Sequence, residues 1–234
     1  MRVDFHCHSS CSDGALPPEG VAHMLAAAGV RCAALTDHDT SKGLVRFREG
    51  LRRHRITFVS GIELTASHPM GEVHLLALGF PLPFPAAIES SFRAGPRIKS
   101  GFASLLPGKE AESVDRAESL IRRMHEAGAL VYLAHPLQPA GDFTRLDRLL
   151  VDLRLAGLDG IEALYKPYPR EERSRLAQLA GRHDLLVVGG SDFHGDGVLG
   201  SSEPGCDMPQ WHWERLCHAH CIPPLDSAGR EENL

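Results

Sequence analysis

Apolar and polar positions alternate from the second residue. In RVDFHCH, residues 2–8, Val3, Phe5 and Cys7 fall on one side of an extended chain and Asp4, His6 and His8 on the other. Such a strand has one face for packing and one face that needs something to bind. The period then turns helical in PPEGVAHMLAAAGV (17–30), whose prolines stand at the start, where a helix tolerates them. RCAALTDHD (31–39) predicts a buried strand ending in a polar loop, and SKGLVRFREGLRRHR (41–55) a basic amphipathic helix opened by Ser41. ITFVSGIEL (56–64) and EVHLLALGF (72–80) predict two strands in close succession. ESVDRAESLIRRMHEAG (112–128) predicts a helix and ALVYLAHP (129–136) a strand. A helix near 142–156, the strand LDGIEALY (158–165), a helix near 170–182 and the strand DLLVVGGSDFHG (184–195) follow.

About seven strands alternating mostly with helices predict parallel β/α architecture in a single domain, 1–234. Runs such as LLVV and ALVYLA suit strands covered on both sides. Residues 81–112 are proline-rich and have no period. They predict an insertion between the fourth and fifth strands, within a lid-like segment spanning 81–128. Residues 205–234 predict a terminal helix, packed through Trp211, Trp213 and Leu216, and a frayed tail.

Composition narrows the picture. Of 234 residues, 43% are hydrophobic and 24% charged, with a net charge of −5 and no basic run, so no surface for duplex DNA is expected. Six cysteines follow no disulfide-scaffold pattern. The N-terminus carries no leader-like segment, and no apolar run approaches the ~18 residues that span a bilayer. A reduced, cytoplasmic protein without a membrane partner is expected. Fourteen histidines, many for this length, direct attention to metal ligands.

The polar residues gather at strand ends: His6, His8 and then Asp13 after the first strand, Asp37, His38 and Asp39 in TDHD, and Glu63 in GIEL. His74 lies in EVHLL, His135 in AHP, and Asp192 and His194 in GSDFH. A closed barrel brings the loops after its strands to one mouth, whereas an open sheet holds its first and last strands apart. Six imidazoles and three carboxylates form a nitrogen and oxygen donor set suited to Zn²⁺, Mn²⁺ or Fe²⁺. Nine ligands exceed what one cation takes, so two or three cations are expected. Their summed charge favours an anionic substrate and phosphate-ester hydrolysis.

The motifs DFHCHS, TDH, AHP and GSDFHG, with GIEL and EVHLLALGF, resemble those of the PHP (polymerase and histidinol phosphatase) family of metal-dependent phosphoesterases, over residues 1–80 and about 129–200. The resemblance implies a distorted (β/α)7 TIM-like barrel holding three divalent metal ions. By position, His6, His8, Glu63 and Asp192 would hold the first, Glu63, His74 and His135 the second, and Asp13, His38 and His194 the third. The wording looks most like the nucleotide phosphatases and 5′-end-directed exoribonucleases, although the stretch from His74 to His135 is shorter than in the 3′,5′-bisphosphate phosphatases. The expected reaction is hydrolysis of phosphomonoesters by a metal-bridging hydroxide held by Glu63, with His194 and Asp13 near the leaving group. Substrates would be nucleoside monophosphates, 3′,5′-bisphosphates or the 5′ ends of short RNA. Alternatives are a histidinol-phosphate phosphatase, a metal-dependent amidohydrolase and a non-catalytic metal-binding regulatory module.

Further residues have supporting expectations. Asp4, Asp37 and Asp39 would orient ligand imidazoles, with Asp39 also near substrate. Arg93, Arg97 and Lys99 in the insertion would clamp phosphate, and Lys166 and Tyr168 would line the mouth. The C-terminal Cys206, Cys217, Cys221, His212, His218 and His220 lack Cys-x2-Cys spacing, which argues against a structural zinc there.

Overall fold

The computed structural model describes residues 1–84, 115–195, 197 and 199–223. Residues 85–114, and with them the expected clamp of Arg93, Arg97 and Lys99, lie outside the described residues, as does the tail from 224.

Two sheets carry the chain. One has the order β3-β2-β1-β9, built from β1 (Arg2–Asp4), β2 (Cys32–Ala34), β3 (Thr57–Val59) and β9 (Cys206–Asp207). The other has the order β4-β5-β6-β7-β8, from β4 (Gly61–His68), β5 (Gly71–Leu78), β6 (Leu130–Leu133), β7 (Gly160–Tyr165) and β8 (Leu186–Gly190). Hydrogen bonds join the sheets along two seams. Beyond β1, Asp192 N donates to His6 O at 2.7 Å and His8 N to Phe193 O at 2.9 Å; beyond β2, Asp39 N donates to Glu63 O at 2.8 Å.

Helices α1 (Pro18–Ala27), α2 (Leu44–Arg53), α3 (Ala117–Glu126), α4 (Leu137–Ala140), α5 (Phe143–Leu155), α6 (Arg170–Arg182) and α7 (Gln210–His220) lie between or after the strands. Among the described residues none is long and apolar enough to cross a membrane. In α5, Asp142 caps the start by accepting from Thr144 N at 2.8 Å and Arg145 N at 2.9 Å, satisfying donors the helix leaves open. Leu146, Leu149, Leu150 and Leu153 then recur on one face and are buried.

Strand β1 ends at Asp4, earlier than RVDFHCH predicts, with Cys7 making only an isolated bridge to Phe193, and the alternating segment 3–8 has both faces covered. Val3, Phe5 and Cys7 are in the apolar core, and Asp4, His6 and His8 are equally buried on the other side. Cys7 is plain core, its thiol donating to Ala34 O at 3.2 Å.

The structure corrects several expectations. ITFVSGIEL is two strands in different sheets, because Ser60 breaks away to bond the end of β5: its hydroxyl donates to Phe80 O and its carbonyl accepts Gly79 N at 2.9 Å. Strands β4, β5 and β6 pair antiparallel rather than parallel. Only Pro69 and Met70 separate β4 from β5, and a parallel crossover needs a dozen residues or more. Helix α2 is capped at Gly43, two residues later than Ser41 would place its start. On α7, His212, Trp213 and Leu216 are buried but Trp211 is 52% exposed, because the helical period turns it away from the contact face.

Burial separates two leucines of one helix. Leu150→Ala should lower the unfolding free energy by about 2–5 kcal/mol. Leu155→Ala, at a position 82% exposed, should change it by less than about 0.5 kcal/mol. Urea denaturation of the two variants checks both values.

Candidate metal centre

Glu63, the third residue of β4, has a side chain only 1% exposed and lies at the centre of the site. Its Oε2 faces His6 Nε2 at 3.2 Å, His8 Nε2 at 3.2 Å and His38 Nδ1 at 3.3 Å. Its Oε1 faces His74 Nδ1 at 2.9 Å and His135 Nε2 at 3.2 Å. The antiparallel hairpin makes this geometry: His74 is paired with Thr65, two residues beyond Glu63 on the same face, so the two side chains meet diagonally. His74 thus reaches the site from the first half of its strand, not from a C-terminal end.

Asp192 and Asp13 flank this centre. Asp192 Oδ1 lies 3.3 Å from His6 Nε2 and 3.2 Å from His8 Nε2. Asp13 Oδ1 lies 3.6 Å from both His8 Nδ1 and His194 Nε2, and its Oδ2 lies 3.7 Å from His38 Nε2. Ligand atoms within 4.8 Å of one another form four overlapping groups: His8, Asp13, His38 and His194; His6, Glu63 and His135; His6, His8 and Asp192; His38, Glu63 and His74. All nine ligand positions named from the sequence meet in this one cluster.

The donor set fits divalent cations. Nδ1 of His8 and Nδ1 of His135 are buried without a hydrogen-bond partner, and His8 Nε2, although 3.2 Å from Glu63 Oε2 and Asp192 Oδ1, is not aligned for a hydrogen bond to either. Buried polar atoms are normally satisfied, and a coordinated cation satisfies an imidazole nitrogen. The other donors are imidazole nitrogens and carboxylate oxygens with no thiolate, a set suited to borderline and hard cations.

The same crowding sets the protonation of the chain without cations. Burial opposes charge on His8, but the Asp192 and Glu63 carboxylates outweigh it and hold His8 up to about 9. Burial likewise opposes charge on His74, yet Glu63 and Glu72 raise it to about 10. At His38 burial prevails, with His8 and His74 adding repulsion, and holds it down to about 4 despite Glu63. Burial would raise Glu63, Asp192 and Asp13, but the surrounding imidazoles hold all three below the usual carboxylate range.

Two buried residues complete the site that sequence reasoning missed. Glu162, from β7, holds Oε1 3.0 Å and Oε2 3.1 Å from His6 Nδ1, and its Oε2 accepts His135 N at 2.8 Å. With Nδ1–H donating to Glu162, His6 presents Nε2 to Glu63 and Asp192. Tyr165 OH donates to Asp192 Oδ2 at 2.7 Å, which turns Oδ1 toward His6 and His8. Gly190 gives this layer its room: a Cβ there would overlap His6 Cβ and lie 2.6 Å from Glu162 Oε1. The only local signal for Glu162 is a lone carboxylate in the apolar run GIEALY.

The other expected residues are placed as follows. Asp4 and Asp37 hold backbone and serines rather than imidazoles. Asp4 accepts Ser191 N at 3.0 Å, Ser191 Oγ at 2.6 Å and Gly205 N at 2.7 Å. Asp37 accepts Ser9 N and Ser9 Oγ, both at 2.7 Å, and Ser12 Oγ at 2.6 Å, which fixes the loop that delivers Asp13. Asp39 accepts Thr65 N at 3.2 Å. Lys166 Nζ donates to Glu203 O at 2.6 Å and lines a different cavity. Tyr168 OH accepts Leu137 N at 3.0 Å, next to Tyr165. His220 faces Tyr132 OH at 2.8 Å, and the described residues of the C-terminal segment form no metal-ligating group. Asp39, His135 and Asp192 have φ of 51°, 27° and 54°, a region that side-chain-bearing residues rarely adopt and that collects at functional sites.

Two predictions follow from this geometry. Because His8 and His74 carry protons at pH 7 without cations, Mn²⁺ loading should expel them, and apparent affinity should rise with pH between about 7 and 9. Calorimetric titration in buffers of different ionisation enthalpy reads the released protons; buffer-independent heat would sink the idea. Glu162→Gln should weaken metal affinity by about 10–100-fold, the usual loss when a ligand histidine's partner is altered. Metal competition with a chromogenic chelator measures it.

Comparisons with known proteins show what the chain resembles. The PHP domain model matches residues 4–135. The 3′,5′-nucleoside bisphosphate phosphatase of Chromobacterium violaceum is 28% identical, covering 96% of this chain and 99% of its own. That alignment extends over 286 positions, more than the 234 residues here, so this relative has insertions that the chain lacks. A 5′-3′ exoribonuclease of Haemophilus influenzae is 27% identical, covering 82% of this chain and 90% of its own. A solved Chromobacterium violaceum structure, described as an amidohydrolase with bound sulfate and no metal, superposes with a TM-score of 0.72 at 26% identity. It covers 93% of this chain and 96% of its own. With its family model matched from the first strand through His135, the chain belongs to the PHP family.

Proposed function

We propose that this PHP-family phosphoesterase hydrolyses phosphomonoesters of nucleotides: nucleoside monophosphates, 3′,5′-bisphosphates or the 5′ ends of short RNA. One observation carries the reading: a single buried carboxylate, Glu63, shared by five imidazoles, with the Asp13–His38–His194 group alongside. An amide-hydrolysing site would leave that second group without a task. The names of the phosphatase and exoribonuclease relatives support the nucleotide class. The two hydrogen-bonded seams support a distorted (β/α)7 barrel whose strand ends share one mouth.

In this reading His6, His8, Glu63 and Asp192 hold one cation, Glu63, His74 and His135 a second, and Asp13, His38 and His194 a third. When bound, divalent cations there polarise phosphoryl oxygens and lower the pKa of water to near neutrality. The chain's own residues do the positioning. Glu63 offers an oxygen to each side of the cluster, so it spaces what the flanking imidazoles hold. Tyr165 and Glu162 fix Asp192 and His6, so neither rotates as charge develops. Asp13, 35% exposed while His6, His8 and Glu63 are buried, marks the side from which substrate approaches and the leaving group departs. Near-complete burial of the opposite side excludes bulk water. The protein is expected to work in the cytoplasm.

A phosphate-release screen with Mn²⁺-loaded protein tests this, using nucleoside monophosphates, 3′,5′-bisphosphates, histidinol phosphate and short 5′-phosphorylated RNA. Release from one nucleotide class is expected, and Glu63→Gln should lower kcat by more than about 100-fold, beyond what loss of an outer partner costs. Full metal content with no release from any of these esters would overturn the reading.

A further inference from the structure

A second cavity, of about 730 Å³, shares no residue with the metal centre. Leu164 and Lys166 line it, on the side of the β7 end opposite Tyr165, which turns inward to Asp192. Four cationic side chains surround it, Arg2, Lys166, Arg170 and Arg173, against one carboxylate, Asp207. Asp207 is largely exposed and meets Arg2 Nη1 only at 3.5 Å, and Arg2 Nη2 donates to Pro204 O at 3.4 Å, so both contacts of this fork are long ones. Lys166 Nζ donates one hydrogen bond, to Glu203 O, and keeps two donors. Arg170 and Arg173 form no ion pair among the described residues.

The guanidinium Nε atoms of Arg2 and Arg173 are both buried without a hydrogen-bond partner. Desolvated guanidinium N–H groups normally find an acceptor, so two unsatisfied guanidinium groups along one lining leave donor capacity there that the chain itself does not meet. Arg170 and Arg173 occupy the first turn of α6, whose cap, Pro169, supplies no side-chain acceptor for the open backbone N–H groups. The open N–H groups of the helix end face the same side, and Glu171 and Glu172, which share that turn, are not part of the cavity lining.

We propose that this cavity is a second oxyanion site, built to take a phosphate group in the fork of Arg2 and Arg173, with Lys166 and Arg170 at its rim. Guanidinium forks match phosphate oxygens pairwise. The site needs neither cations nor catalysis, so it stands or falls independently of the phosphoesterase reading. One wall is Gly205–Asp207, and Gly205 N donates to Asp4, the carboxylate that also holds Ser191 beside Asp192. Two sources of phosphate fit: free orthophosphate, the product of the proposed reaction, and the diester backbone of an RNA chain.

Equilibrium binding on the metal-loaded full chain tests the site with two probes, orthophosphate and a short 5′-hydroxyl RNA carrying phosphorothioate linkages. The expected result is that the Arg170→Gln/Arg173→Gln protein binds one equivalent less of one probe than the unaltered protein, with an unchanged thermal midpoint. The probe that loses the equivalent names the source. Arg170→Gln alone, at an exposed position, should weaken that equivalent at least several-fold, which preserves the test if the double variant does not fold. Equal stoichiometry and affinity for both probes in the altered and unaltered proteins would overturn the proposal. Phosphate lost from the metal centre would instead follow Glu63→Gln, so the two failures are separable.

Discussion

A carboxylate that water cannot reach must be neutralised by what surrounds it, and Glu63 imposes that demand on the whole molecule. Burying an unpaired charge costs far more than one side chain's packing returns, so the ends of several strands have to present positive or cation-holding groups within a few Å of one point. His6 and His8 come from the segment just beyond the first strand, His38 from the loop after the second, His74 from across the hairpin and His135 from just beyond the end of β6. Either protons or metal cations must supply the balancing charge. The raised His8 and His74 show the first solution, and the buried nitrogens of His8 that no aligned hydrogen bond satisfies show where the second enters. Metal affinity, pH and stability are therefore coupled, since a cation binds the folded arrangement of ligands and displaces the protons that balance Glu63 without it.

Acidic residues in this chain divide by what they face. Glu63, Asp192 and Asp13 face imidazoles and are available to cations. Asp4 and Asp37 face backbone N–H groups and serine hydroxyls, and they fix the segments that carry Asp192 and Asp13. Glu162 does both, bonding an imidazole on its Nδ1 side and the backbone of a second ligand, His135. This arrangement removes slack from the cluster without adding donors that compete for the cations. Close approach is part of it: the missing Cβ at Gly190 lets β8 pass beside His6 and Glu162.

Most of the clustered positions were legible in the sequence because they end or follow a short apolar run, so the period-two pattern and a polar terminus coincide; His74 instead precedes its run. Helices such as α6, at 170–182, were legible because apolar residues repeat at helical spacing. The direction of β5 was misjudged although its signal is local: Pro69 and Met70 leave too little chain for a parallel return. Trp211 was misjudged because its hydrophobicity was weighed above its angular position, which places it off the face of His212, Trp213 and Leu216. Glu162 had no local signal. Its partner, His6, is 156 residues away, and a lone acid in an apolar strand acquires meaning only when the fold brings that imidazole to it.

Exposure across the cluster is graded, and the gradient assigns different work to its two halves. His6, His8 and Glu63 are sealed, whereas Asp13, His38 and His74 border solvent. On the open side, the β4–β5 hairpin extends past His74, and Ser67 N on that arm donates to Asp115 O at 2.9 Å. Ser67 pairs with Glu72, two residues before His74, so the chain re-enters the described structure beside the open half of the site. The sealed half has no room for anything but ligands and their supports, which ties it to the chemistry common to phosphate esters. On the proposed reading, discrimination between a mononucleotide and an RNA end then falls to the hairpin arm, which borders the open half and leaves Glu63 undisturbed.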